Sequence, residues 1–450
     1  MELLLTYYGD DFTGSTDSME ALENGGVRTV LFLEPPTPEQ IARFPGVQAV
    51  GVAGVSRSMT PAQMDAELAP AFTRIRQLNA PIFHYKICST FDSSPTIGSI
   101  GRALEIGADI FQPSVIPLVV GAPRLNRFVV FGNLYARIKG VTYRLDRHPV
   151  MSRHPITPMN ESDLRIHLGQ QTQKRIGLVD VLALDEGDAA ADAAFDTLQQ
   201  QGDDVILFDT LTPTHLGQIG RKLWTLRGER PVFTVGSSGV EYALAQHWAE
   251  TGVIPPAQPL ATGDAVEQLL VIAGSASPVT AEQISHALAN GFHGIRLDTP
   301  RLVDPSTADT ERAASIEATL TALADGRNVL LYSTHGPDDP AIPATNAHME
   351  QIGLDPKTIG SRLGTQQGMM LRNILERTDL RRVCVAGGDT CGYATKQLGI
   401  YALQVAAPIA PGAPLCRASS DQPRFDGLEI ALKSGQLGTV DFFQRILKGV

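Results

Sequence analysis

The sequence predicts an α/β protein of two domains, each a mostly parallel sheet flanked by helices, with the active site in the cleft between them. Three observations carry the prediction. Apolar, β-prone runs alternate with helix-length segments through the first half of the chain. A stretch rich in proline and small residues, 251–263, interrupts that alternation, and a fresh apolar strand, 269–273, follows it. Near each end of the chain, a strand runs into an unusual turn and out into a helix. A length of 450 residues also exceeds what one ordinary core accommodates. The boundary is placed after residue 255, giving domains 1–255 and 256–450.

The first turn is Tyr8-Gly9-Asp10-Asp11-Phe12-Thr13-Gly14-Ser15-Thr16, after the apolar run 3–8. Ser15 or Thr16 can cap the helix that follows. Ligands of open α/β sheets gather at the carboxyl ends of strands, which is where Asp10 and Asp11 fall. Adjacent carboxylates repel unless a cation, a hydroxyl-rich ligand or a titration shift relieves them. Two readings stay open here. One aspartate caps the helix while the other is solvated, or the pair forms a polyol or metal site with one member placed as a general base.

Candidate strands follow at 26–33, 47–55 and 81–87, with a helix over 60–79 opened by Thr60-Pro61. Further strands are read at 117–121, 204–208 and 232–235. The stretch 143–158, with its prolines, arginines and two histidines, lacks periodicity and reads as a long ordered loop. It has too few suitably spaced Cys or His residues for a zinc site. A strand–glycine–helix turn at Thr234–Glu241 reads as structural, closing the first domain.

The second half opens with strand 269–273 and the turn Gly274-Ser275-Ala276-Ser277-Pro278, then a helix from about residue 281. Its most informative stretch is Val383-Cys384-Val385-Ala386-Gly387-Gly388-Asp389-Thr390-Cys391-Gly392. A strand entering a glycine turn that opens a helix aims free backbone N–H groups at whatever lies above, which suits a phosphate. The turn lacks a Walker A lysine and the full dinucleotide spacing, so neither label fits.

Composition narrows the class. With 43% hydrophobic and 19% charged residues, the chain is globular rather than disordered. A net charge of −11 argues against nucleic-acid and anionic-membrane partners. The opening residues carry the acidic Glu2 and too short an apolar run for a secretory leader, and no stretch reaches membrane-span length. Four cysteines without a CxxC pair suit reduced thiols in a cytoplasmic protein.

Taken together, these motifs resemble the four-carbon acid sugar kinase family along nearly the whole chain. Its Asp-Asp-x-Thr-Gly turn stands as Asp10-Asp11-Phe12-Thr13-Gly14, and its Ser-Arg element as Ser56-Arg57. Its next element stands as Lys86-Ile87-Cys88-Ser89-Thr90-Phe91-Asp92-Ser93, in the form of the 3-oxo-tetronate kinase branch, with Gly98-Ser99-Ile100-Gly101 after it. The nucleotide half matches at Gly274–Pro278, Gly387–Thr390, Pro411-Gly412-Ala413-Pro414 and Lys433-Ser434-Gly435-Gln436-Leu437-Gly438.

The resemblance implies ATP-dependent phosphorylation of a hydroxyl on a small acid sugar, with Mg2+ and a closure that excludes water. It implies that Thr13, Gly14, Ser56, Arg57, Lys86, Ser89, Thr90 and Asp92 bind the sugar acid, with Arg57 or Lys86 taking its carboxylate. Ser275, Ser277, Gly387, Gly388, Asp389, Thr390, Gly412, Lys433 and Gly435 would bind the nucleotide, Asp389 through the metal. Asp10 and Asp11 are the catalytic candidates, Asp10 preferred as base because it lies nearer the strand end.

The acceptor is read as a 3-oxo-tetronate-like acid, with 3-oxo-isoapionate, threonate or erythronate as alternatives; the elaborate 147–158 loop is what brings in the branched acid. A homo-oligomer is compatible with this reading. A nucleotide-responsive binding protein without turnover is the alternative of another class, opposed by the intact aspartates, lysine and glycine turns. An NAD-dependent oxidoreductase would need a GxGxxG unit that the chain lacks.

Overall fold

The computed structural model describes residues 2–138, 140–154 and 156–450, with the backbone but not the side chain of Asp389. The chain divides into two compact units, Met1–Pro259 and Leu260–Val450.

In the first unit the strands are β1 (Leu5–Gly9), β2 (Thr29–Phe32), β3 (Ala49–Ala53), β4 (Ile82–Lys86), β5 (Ile116–Val119), β6 (Arg127–Val130), β7 (Asn133–Ile138), β8 (Val141–Arg144), β9 (Ile176–Val179), β10 (Val205–Phe208) and β11 (Val232–Gly236). Eight of them form a parallel sheet in the order β2-β3-β1-β4-β11-β5-β10-β9. Most of these strands are buried along their whole length, as parallel strands covered on both faces must be. Helices cover the faces. The Pro61–Arg76 helix starts where expected, at a capping box between Thr60 and Gln63, and stops three residues short of the sequence reading. Its inner face seats Phe72 against Tyr8 and Phe83 (ring centroids 5.6 and 4.9 Å), and Phe83 stacks on Phe111 at 4.5 Å. This aromatic cluster lies under the strands whose carboxyl ends carry the aspartate turn.

The sequence reading contained no counterpart to β6–β8, which form a separate antiparallel sheet. These strands are short and half-exposed, so neither a continuous apolar run nor a clean alternation marks them. Stretch 143–158, read as one loop, begins as the end of β8 and then makes two short 3₁₀ turns, Leu145–Arg147 and Met151–Arg153. Pro155 within it lies outside the described residues.

The second unit contains β12 (Leu270–Ala273), β13 (His293–Arg296), β14 (Val329–Tyr332), β15 (Arg382–Ala386), β16 (Ile400–Ala410), β17 (Ala413–Ser420) and β18 (Glu429–Lys433). Their order is β13-β14-β12-β15-β18-β17-β16. The first five are parallel, and the β16–β17 hairpin joins antiparallel. Pro411-Gly412 is the tight turn of that hairpin, and Gly412 has φ +77°, a conformation that favours glycine. The core here is aliphatic and rich in alanine, closed at one end by Phe442 and Phe443. All four cysteines are free thiols, and no helix among the described residues is long and apolar enough to cross a membrane.

Candidate functional site

In the first unit the strands β3, β1, β4, β11 and β5 are neighbours and end on the same rim. Arg57 follows β3, Asp10–Asp11 follow β1, Lys86 ends β4 and leads into the turn to Asp92, Ser237–Ser238 follow β11, and Arg127 opens β6 after the loop that leaves β5. Backbone bonds tie the loops together: the Asp10 N–H donates to the Lys86 carbonyl at 2.8 Å, and the Arg57 N–H donates to the Asp10 carbonyl at 2.9 Å.

The two aspartates are held differently. Asp11 is the N-cap of the Phe12–Asn24 helix, accepting from the Gly14 N–H at 2.9 Å and the Thr13 hydroxyl at 2.8 Å. Asp10 is buried, and Arg57 is its partner: Nε donates to Oδ2 at 3.1 Å and Nη2 to Oδ1 at 2.7 Å. Nη2 also reaches Asp11 Oδ1 at 2.8 Å, so one guanidinium bridges both carboxylates. Burial pushes the Asp10 carboxyl above the usual range, and Arg57 offsets this only partly. Burial acts on Asp11 too, but there Arg57, Lys86 and the cap hydrogen bonds outweigh it and hold the carboxyl low. Burial lowers Arg57, but the two aspartates more than reverse that, leaving it firmly charged.

Lys86 is 2% exposed and faces Asp17 at 3.7 Å, from within the helix that Asp11 caps. Burial works against its charge, and Asp17, Asp10, Asp11 and Glu241 together overcome it, raising its pKa. Gly14 makes this approach feasible, because a Cβ there would lie 2.4 Å from Asp11 Oδ1 and 3.0 Å from Lys86 Nζ. Behind Lys86, the fully buried His84 and Glu241 meet at 2.6 Å through Nδ1 and Oε1.

The other sequence candidates of this half divide. Ser56 is fully buried and its hydroxyl bonds Tyr85 Oη at 2.9 Å, an internal contact. Thr90 and Asp92 share a short hydrogen bond, and Cys88 Sγ lies 2.9 Å from the Thr90 hydroxyl. Between them Phe91 adopts φ +58°, a left-handed conformation rare for an aromatic residue, so this turn is held in place by its packing. Ser89 is half-buried beside it.

The second unit gathers its candidates on a comparable rim. Ser277 caps the Pro278–Ala289 helix after β12, and its hydroxyl also reaches the Gly435 carbonyl, which accepts from Thr280 as well at 3.1 Å. Gly435 packs so closely that a Cβ would lie 2.4 Å from Ser275 Oγ. Gly387 opens the Gly388–Gln397 helix at φ +143°, and its N–H donates to the Lys433 carbonyl at 2.9 Å. Thr390 is buried, its hydroxyl set between Gly274 and Gly387. The Leu415–Ala431 pairing of β17 with β18 brings the Gly412 turn to the same rim as Lys433.

Lys433 is 0% exposed, with Nζ donating to the Thr280 hydroxyl at 3.1 Å. Burial lowers its pKa to about 8. In contrast to these crowded positions, a Cβ on Gly388 would meet nothing among the described residues within 4 Å. The side chain of Asp389 lies outside the described residues.

Sequence reasoning missed Gln367, Asp17 and Arg127. Gln367, on the Ile359–Glu376 helix, is 1% exposed with neither carboxamide atom hydrogen-bonded among the described residues, and its Oε1 would lie 2.8 Å from a Cβ on Gly274. A buried amide without a partner, packed against the Gly274 turn and Thr390, is a group that a polar ligand at this rim could satisfy. None of the three sits in a recognisable motif; what marks them is the state of their partners, a tertiary property.

Comparison with known proteins places both units in described domain families. Residues 5–244 match the domain family described as a sugar-binding N-terminal domain, and residues 270–443 match a nucleotide-binding C-terminal domain. The chain is 49% identical over 447 residues to the 3-oxo-isoapionate kinase of Paraburkholderia graminis, covering 99% of this chain and 94% of that protein. It is 31% identical to the 3-oxo-tetronate kinase of Methylobacterium radiotolerans, covering 99% of both. Among solved structures, a Salmonella typhimurium LT2 protein superposes with a TM-score of 0.80 at 27% identity, over 98% of each chain.

The state of Lys433 generates a pH prediction. Its folded pKa, about 8, lies below the unfolded value, so the unfolded chain binds more protons between the two and the ligand-free protein gains stability as pH rises through that window. An anion beside Nζ favours the charged form. ADP binding at about pH 8.5 is therefore expected to take up protons, read as a buffer-dependent calorimetric enthalpy, with uptake vanishing near pH 6.5 and in Lys433→Arg.

Proposed function

Because this chain belongs to the four-carbon acid sugar kinase family, we propose that it transfers the γ-phosphoryl group of ATP to a hydroxyl of 3-oxo-isoapionate. The 49% relative carries this choice of acceptor, and the elaborated 143–158 segment accords with a branched acid. A 3-oxo-tetronate is the second reading, supported by several relatives near 30% identity and by the Cys88–Ser93 form of the lysine element.

The division of labour follows from the two rims. In the second unit, the N–H groups at the start of the Gly388–Gln397 and Pro278–Ala289 helices, Ser275, Thr390, the Gly412 turn and Lys433 serve the phosphates. Close packing at Gly435 and the open space over Gly388 support a ligand lying against backbone. ATP enters as its magnesium complex, and Asp389 is the carboxylate assigned to that ion, which neutralises phosphate charge.

In the first unit, Asp10 is assigned as the base that takes the proton of the attacking hydroxyl. Two features support it over Asp11. Among the described residues the Asp10 carboxylate accepts only from Arg57, whereas Asp11 is committed to Gly14, Thr13 and Arg57. Burial also moves the Asp10 carboxyl toward the range in which a base works best near neutrality. Thr90 and Asp92 offer hydrogen bonds to the acceptor's other hydroxyls, and Lys86 holds the turn that presents Asp10.

Three outcomes are expected. An ADP-release screen over 3-oxo-isoapionate, 3-oxo-tetronates, threonate and erythronate should give the highest kcat/KM with the first; a preference for a tetronate moves the assignment to the second reading. Asp10→Asn should lower kcat by about 10²- to 10⁴-fold, the range for loss of a general base, while ADP still binds. Near-normal kcat would exclude Asp10 as the base. Gly388→Ala meets no steric neighbour and should leave melting unchanged or raise it, yet increase the apparent KM for ATP well above any change in that for the acid. An unaltered ATP KM would remove Gly388 from the nucleotide site.

A further inference from the structure

An acid sugar brings a carboxylate that has to leave water, and a buried carboxylate needs a cation not already neutralised. Arg57 and Lys86 are the cations that sequence motifs suggest. The structure commits both elsewhere. Arg57 is shared between Asp10 and Asp11 at 2.7 and 2.8 Å, and Lys86 sits among Asp17, Asp10, Asp11 and Glu241. Four carboxylates already face these two cations, one of them, Glu241, also paired with His84, so neither cation is without an acidic partner.

Arg127 has the opposite surroundings. It is the first residue of β6, and its backbone pairs with Ala122 (N–H to O distances of 3.0 and 3.2 Å), just beyond the end of β5. It is half-buried, with Nη1 donating only to the carbonyls of Leu125 and Asn126 at 3.1 and 3.2 Å. Its Nε is buried without any hydrogen-bond partner, and among the described residues Arg127 forms no ion pair. Burial accordingly lowers its pKa, and the groups that act against this are Cys88 and Asp92, on the turn already assigned to the acceptor. His148 also lies near and accepts backbone N–H groups at Nδ1; burial and the Arg127 charge both keep it neutral. The orphan Nε of a guanidinium, beside Nη atoms in the same plane, is the half of a fork that a carboxylate completes.

We propose that Arg127 binds the carboxylate of the acid sugar, and so selects acids over neutral sugars. This rests on the reading that an acid sugar is the acceptor and that the first unit binds it. Arg57 is then a positioning residue for the two aspartates rather than the carboxylate receptor.

The test compares 3-oxo-isoapionate with its carboxamide, which keeps the hydroxyls and lacks the charge, on wild type, Arg127→Gln and Arg127→Lys. Wild type should favour the acid. In Arg127→Gln the acid-to-carboxamide ratio of kcat/KM should fall by at least about thirty-fold, as expected on losing one partner of a buried charged pair. The KM for ATP should stay at the wild-type value, and Arg127→Lys should recover part of the ratio. A merely structural role for Arg127 would lower both substrates alike and leave the ratio unchanged. A wild-type preference for the acid that persists undiminished in Arg127→Gln overturns this inference alone. A wild type indifferent to acid and carboxamide overturns the acid-sugar reading and this inference with it.

Discussion

One guanidinium makes the aspartate turn tolerable. Two consecutive carboxylates at a buried strand end repel each other, and Arg57, arriving from the loop after β3, binds both while its own N–H secures the Asp10 carbonyl. Buried ion pairs seldom add much net stability, because desolvation offsets the attraction. What this one does is specify. It separates the carboxylates into a low-lying cap, Asp11, and a raised neighbour, Asp10, from chemically identical side chains. Burial and partner count do this, with Thr13 and Gly14 as the extra donors that fall to Asp11 alone. The same constraint ties the Nε and Nη2 groups of Arg57 to the two aspartates.

The second unit solves a complementary problem. Its rim is built from the loops after β12, β15 and β18, stitched by the Gly435 carbonyl accepting from Ser277 and Thr280 and by Gly387 donating to Lys433. Beneath them, among the described residues, lie a lysine with no carboxylate on it and Gln367 with no hydrogen-bond partner for its carboxamide. Burying each without a partner is unfavourable. A polyanion offsets both, which links the open space over Gly388 to the chemistry expected there.

The parts legible in the sequence were those whose mechanism is local. The Thr60-Pro61 helix start and the strand–glycine–helix turns announce themselves within a few residues, and the alternation of apolar runs and helices carries the α/β class. Finer limits did not follow: the helix expected from about residue 281 begins at Pro278, and Asp11, not Ser15 or Thr16, caps the first helix. What the sequence could not supply was partnership. Asp10 and Arg57 are far apart along the chain, as are Lys86 and Asp17, so the motif residues could be named without knowing that they neutralise one another. Ser56 belongs to its motif, yet its hydroxyl is spent on Tyr85. Arg127 and Gln367 were invisible for the converse reason, since nothing near them in sequence records that a tertiary partner is absent. The β6–β8 sheet escaped because short, half-wet strands lack a periodic signature.

That small sheet has an evolutionary implication. Its strands pair in a ladder only with one another, and single bridges such as Val129 to Thr210 and Asn133 to Asp163 attach it to its surroundings. The aspartate turn and its lysine, by contrast, grow directly from the parallel core. An appended ribbon of this kind can drift, lengthen or be replaced while the machinery rooted in the core stays in register. With Arg127 mounted on it, the ribbon is where the groups that meet a ligand can change while the aspartate turn stays fixed in the core.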